Sequence, residues 1–75
     1  MDYLSNVMRL TAAITREGSL FVAQCLEVDV ASQGDSVEGA LESLREALEL
    51  FFEKGAGEQP RPTPIIAAID ISLDK

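Results

Sequence analysis

The sequence predicts a small α+β domain with its elements in the order β-β-β-α-β: one helix packed on a four-stranded mixed sheet of strand order 3-2-1-4. Three observations lead there. Residues 7–16 and 20–25 alternate apolar and polar positions with a period of two on either side of a Glu-Gly break. Residues 37–54 repeat apolar positions at helical spacing. After a proline-rich stretch, residues 65–73 alternate again. The chain has 75 residues, which sets a single domain, 1–75.

In the first strand Met8, Leu10, Ala12 and Ile14 point one way, and Arg9, Thr11, Ala13 and Thr15 the other. A two-residue turn at Glu17-Gly18 would use the freedom of glycine at φ > 0. That turn sets Ile14 opposite Phe21, Ala12 opposite Ala23 and Leu10 opposite Cys25, all on one apolar face. The other face pairs Thr15 with Leu20, Ala13 with Val22 and Thr11 with Gln24. Val28 to Gln33 reads as a third strand, closed by Gly34-Asp35-Ser36. Ser36 is a good helix N-cap, but its capping-box position is Gly39, which has no side chain to reach back. Asp35 with Glu38 would make an acidic form of the same box. Both caps stay open.

The helix runs from about Val37 to Lys54. Val37, Leu41, Leu44, Leu48 and Phe51 form its buried stripe, flanked by Ala40, Ala47 and Phe52, while Leu50 lies off it. Gly55 ends the helix. Residues 55–64, GAGEQPRPTP, form a stiff extended linker. The last strand places Ile65, Ala67, Ile69, Ile71 and Leu73 on one side. A right-handed crossover would set it parallel to the first strand. Four strands make a sheet about 19 Å wide, more than one helix covers. The uncovered face holds Ala13, Leu20, Val22, Ile66 and Ala68, an expected interface of a homo-oligomer, dimer or tetramer.

Composition removes whole classes of function. There is one cysteine and no histidine, so an internal disulfide, a structural zinc site and a Ser-His-Asp or Cys-His centre are all out of reach. No metal or cofactor is expected. Cys25 faces inward in this register and reads as a structural thiol. A glycine-rich phosphate loop is absent. The element order resembles the start of ribonuclease H, whose metal site draws carboxylates from the first strand, the helix and the fourth strand. Glu42 or Glu46 and Asp70 could serve, but the first strand offers no acid between Asp2 and Glu17. The expectation is therefore a protein with no enzymatic activity. The net charge is −7, from 13 acids and 6 bases with no basic cluster, which argues against direct contact with nucleic acid. Apolar runs fall far short of the roughly 20 residues that span a bilayer. The N-terminus lacks the layout of a signal peptide, and a lone thiol fits a reducing compartment, so the expected location is cytoplasmic.

The unusual surface is on the helix. Glu38, Glu42, Glu46, Glu49 and Glu53 fall within one arc at about 100° per residue. Arg45 borders the arc and can pair with Glu42 or Glu49. The arc reads either as a solvated face or as a docking face for a basic partner.

Residues 21–50, FVAQCLEVDVASQGDSVEGALESLREALEL, resemble the HicB-like antitoxin family. That family carries an aromatic-Val-Ala strand, a Cys-Pro-Glu segment, a Ser-Gln-Gly turn and a Thr-Val-Glu-Glu-Ala helix start. The matching residues are Phe21, Val22, Ala23, Cys25, Glu27, Ser32, Gln33, Gly34, Asp35, Val37, Glu38, Ala40, Leu41, Leu44, Glu46 and Ala47. The Ser-Gln-Gly-Asp-Ser stretch is the specific part, and the likeness extends over roughly residues 8–72. It implies a partial ribonuclease H-like fold without the nuclease site. It also implies an antitoxin that neutralises, by occlusion, a small basic RNA-cleaving toxin of the HicA type. Longer relatives add a C-terminal DNA-binding domain; the expectation here is the short form without it. Leu26 stands where the family usually has proline, which is expected to loosen the segment between the second and third strands. Gly39 stands where it usually has glutamate. Together with the arc, Glu27 and Asp29 in the neighbouring loop make up the expected partner-binding set. The rival expectation is a stand-alone oligomeric structural or regulatory module with no toxin partner.

Overall fold

The computed structural model describes residues 7–55 and 60–73. Three strands, β1 (Ala12–Glu17), β2 (Leu20–Cys25) and β3 (Ala31–Gly34), form an antiparallel sheet in the order β1-β2-β3. One helix, α1 (Val37–Glu53), follows β3 and packs on the sheet.

The hairpin turn forms one residue later than expected, which moves each residue's cross-strand partner by two. Glu17 pairs with Leu20, so the turn is Gly18-Ser19, and Ala12 faces Cys25 and Ile14 faces Ala23. The reason is the turn itself. Gly18 has φ 65° and Ser19 is not in the positive-φ region, the arrangement of a type II′ hairpin, which wants glycine first rather than second. Because the shift is two residues and side chains alternate, every side chain keeps its expected face. Arg16 now lies across from Phe21, and its guanidinium carbon sits 5.7 Å from the ring centroid.

β3 begins at Ala31 rather than Val28. The Val30 N–H donates to the Val28 carbonyl at 2.9 Å, and the Cys25 N–H donates to the Val30 carbonyl at 2.9 Å. This three-residue turn folds Val28 fully inside and leaves Asp29 outside. At the other end of β3 the strand presses on the helix. A Cβ built at Gly34 would lie 2.6 Å from the Ala40 nitrogen, so only glycine fits this approach. Ser36 is the N-cap: its Oγ accepts from the Gly39 N–H at 2.9 Å.

Ala23, Cys25, Val28, Ala40 and Leu44 form the buried core, with Leu10, Ile14, Phe21, Leu48, Phe51 and Phe52 packed around it. Two residues of the expected stripe are not in it: Val37 and Leu41 are exposed.

The largest correction concerns the last strand and, with it, the four-stranded 3-2-1-4 sheet. Residues 60–73 form no strand, and every residue from Arg61 to Leu73 is exposed. Ile65 and Ile69 are 94% and 83% exposed. The fold is therefore β-β-β-α, and the second edge of β1 has no strand beside it among the described residues. The physical reason lies at the root of the segment. The Arg61 N–H donates to the Glu27 carbonyl at 2.8 Å, and Pro62 and Pro64 then supply no N–H with which to enter a ladder. The chain leaves the domain extended. Its radius of gyration is 15.5 Å, against about 11 Å for a compact chain of this length.

Candidate protein-docking site

Helix α1 presents Glu38, Glu42, Glu46, Glu49 and Glu53, and all five are exposed. Their spacing of three and four residues sets them along one side of the helix. Arg45 reaches both neighbours rather than one. Its Nη1 donates to Glu49 at 2.8 Å, and its Nε and Nη2 donate to the two oxygens of Glu42. These bonds hold the Glu42 carboxyl below its ordinary value, and they raise the Arg45 guanidinium further. Glu38, Glu46 and Glu53 form no ion pair among the described residues. The arrangement works against the isolated helix. Glu38 and Glu42, Glu42 and Glu46, and Glu49 and Glu53 are like charges at i,i+4. The last turn carries Glu53 and no base, opposite to what the helix dipole favours. Such a face can attract a cationic surface, and it does so at a small cost to the fold.

The neighbouring loop behaves differently. Asp29 is exposed, but Glu27 is 1% exposed and turned inward. Glu27 Oε1 accepts the Thr11 N–H at 2.8 Å and Oε2 accepts the Thr11 hydroxyl at 2.8 Å. The Cys25 thiol lies 3.6 Å from Oε1. The Thr11 N–H, chiefly, holds this carboxyl below its ordinary value against the opposing effect of burial, with help from the hydroxyls of Thr11 and Thr63 and the Cys25 thiol. Glu27 thus ties the lead into β1 to the β2–β3 loop, and it leaves the expected partner-binding set. The loop is not loosened at Leu26 either. The Leu26 N–H donates to the Thr11 carbonyl at 2.9 Å, a bond proline could not make. The bond partners of Glu27 lie 16 residues away, so no local sequence pattern announces its role.

The expected oligomer patch is divided. Ala13, Leu20 and Val22 share the sheet face away from the core, exposed or half-buried. Ile66 and Ala68 lie on the exposed C-terminal segment and do not join that face. Sequence reasoning also missed a groove of about 750 Å³ between the chain leading into β1 and the helix, lined by Val7, Met8, Leu10, Ala12, Leu41 and Leu48 among others. Val7, Met8 and Leu41 are exposed in it.

Cys25 is buried. Among the described residues no three acidic, histidine or cysteine side chains gather at metal-binding spacing. No helix among them is long and apolar enough to cross a membrane. Comparison with protein-family models, with curated proteins and with solved structures gives no match.

Proposed function

We propose that this chain is an antitoxin-type binding protein of the HicB-like kind. It neutralises a small basic RNA-cleaving toxin by covering the surface that would otherwise bind RNA, and it does so in the cytoplasm, as an oligomer, without catalysis of its own. The observation that carries this reading is the glutamate face of α1: five exposed carboxylates on one side of a helix, relieved by the single cation Arg45. A face of that charge complements the Lys/Arg-rich surface with which a protein grips phosphates. The resemblance of residues 21–50 to HicB-like antitoxins supplies the identity of the partner.

A second reading, a self-associating structural or regulatory module without a toxin, draws on the exposed apolar C-terminal segment. The two readings separate in one experiment. Tagged protein is recovered from its native host, and small basic proteins that come with it are purified and incubated with RNA, with and without the chain. The antitoxin reading expects RNA cleavage by the companion and its suppression at one equivalent of the chain. Recovery of the chain alone, or of a companion whose cleavage it does not suppress, returns the protein to the second reading.

A further inference from the structure

Residues 65–73 carry Ile65, Ala67, Ile69, Ile71 and Leu73 on one side of an extended segment, and the four large ones are 72–94% exposed. That is the pattern of a strand with one face to bury, and its own chain gives it nowhere to bury it. Two further features of the molecule match it. The outer edge of β1 has no strand beside it among the described residues, so its free N–H and C=O groups face outward. Next to that edge lies the apolar groove between the lead into β1 and α1.

We propose that residues 65–73 of one chain dock into this groove along the β1 edge of a second copy of the chain, while the second copy returns its own segment to the first. The proposal rests on, and makes specific, the oligomer named under the proposed function; the groove borders the acidic helix face, since Arg45 and Glu49 belong to its lining.

Four observations favour a second copy as occupant. The root of the segment is fixed: Arg61 donates through its backbone N–H to Glu27 and through its guanidinium to the Leu26 carbonyl at 3.3 Å, and the prolines beyond keep the chain extended. A fixed root and a stiff hinge carry the segment outward instead of back onto its own sheet, the condition under which identical elements exchange between copies. The lengths are compatible, since a nine-residue strand spans roughly 30 Å, of which the six-residue edge of β1 takes about 20 Å and the groove beside the non-strand residues 7–11 takes the rest. The chemistry agrees too, because aliphatic side chains meet Leu10, Ala12, Leu41 and Leu48, with Arg9, Arg45 and Glu49 as the charged part of the lining. Finally, the chain exposes 6103 Å², about 1,600 Å² more than the roughly 4,500 Å² of a compact protein of 8.1 kDa. A standard interface covers roughly 800 Å² per partner, so a reciprocal exchange has surface enough to be stable.

Light scattering of the full chain at micromolar concentration tests the proposal. The expected mass is twice 8.1 kDa. Ile69→Asp/Ile71→Asp alters only the exposed segment, so circular dichroism should retain the helix while the dimer dissociation constant rises roughly 100-fold or more. Leu41→Glu damages only the groove and should also give monomers. Mixing these two variants sharpens the test. The intact segment of the Leu41 variant fits the intact groove of the Ile69/Ile71 variant, so the mixture keeps one of the two reciprocal docks and should associate more tightly than either variant alone, though less tightly than the natural chain. A natural chain that is monomeric, a dimer indifferent to the segment variant, or a mixture no more associated than the two variants apart would each overturn the exchange.

Discussion

One loop glutamate and the five glutamates of α1 have opposite fates in this chain. Glu27 is enclosed, with both carboxylate oxygens held by Thr11 and Cys25 beside them. The five glutamates of α1 stand in solvent, and Arg45 answers two of them. Glu27 is consumed by the fold, because a buried carboxylate is tolerated only when its oxygens are satisfied internally. Beyond the exposed Arg45 pairs, the α1 glutamates serve no contact of the fold and work slightly against it through like-charge neighbours. Charge that the structure does not use, gathered on one face, is the material from which a docking surface is made. Charge that the structure does use is unavailable for that purpose even when it sits in a loop next to it.

Substitutions in the two settings should therefore separate, and the interior sets the upper end of the scale. Leu44 is 3% exposed at the centre of the stripe. Leu44→Ala is expected to cost about 2–5 kcal/mol of stability through lost burial and the cavity left behind, read by denaturant unfolding. Gly34 comes next. A methyl there meets the backbone of Gly39 and Ala40, which cannot move aside without lifting the first turn of α1 from β3. Gly34→Ala is expected to cost about 1–3 kcal/mol, with a lower unfolding midpoint.

Glu27 gives a pH-dependent contrast. Its carboxyl titrates below the ordinary value of 4.5 in the folded protein. A depressed folded value means that the ionised form stabilises the fold above the unfolded value, and that this contribution fades as pH falls from 4.5 through the folded value. Glu27→Gln is expected to be less stable than the natural chain at neutral pH, and the difference should narrow on acidification. Unfolding curves of both proteins from neutral pH downward check it. A difference that stays constant would mean that the carboxylate charge contributes nothing and that only the shape of the side chain matters.

How much of this was legible in the sequence follows the range of the forces involved. β2, α1 and the second half of the first strand were, because the period of two and the three-four spacing are local and each buries one face; residues 7–11, expected as the start of that strand, lie outside β1, which begins at Ala12. The faces of the hairpin were right even though the register was not, since the Gly18-Ser19 turn moved the pairing by two residues and not by one. Elements decided by contacts distant in sequence were not legible. Residues 65–73 have the alternation of a strand and no partner in their own chain, because alternation records a preference for burial and not where the burial happens. Glu27 looked like its exposed neighbour Asp29, because nothing within a few residues marks the Thr11 contact. The glutamate arc was legible as a surface from helical spacing alone, but spacing does not distinguish a solvated face from a docking face.

At the bottom of the stability scale is the charge reversal Glu42→Lys/Glu49→Lys. Both side chains are more than half exposed, and pairs of that kind contribute little to folding. Arg45 loses its partners, but Glu38, Glu46 and Glu53 lose like-charge neighbours in return, so the unfolding midpoint should stay close to that of the natural chain. Binding is where this variant should differ most. The most direct measurement is the affinity and association rate of the natural chain and of Glu42→Lys/Glu49→Lys for the basic partner proposed above, purified from the native host, each at low and at physiological salt. Exposed charges are screened over about 8 Å at physiological ionic strength. The natural chain should therefore associate more slowly as salt rises, with dissociation little changed, and the folded variant should bind markedly more weakly with a flatter salt response. Equal affinity and equal salt dependence in the two proteins would contradict the docking role of α1 and leave its glutamates as a solvated surface.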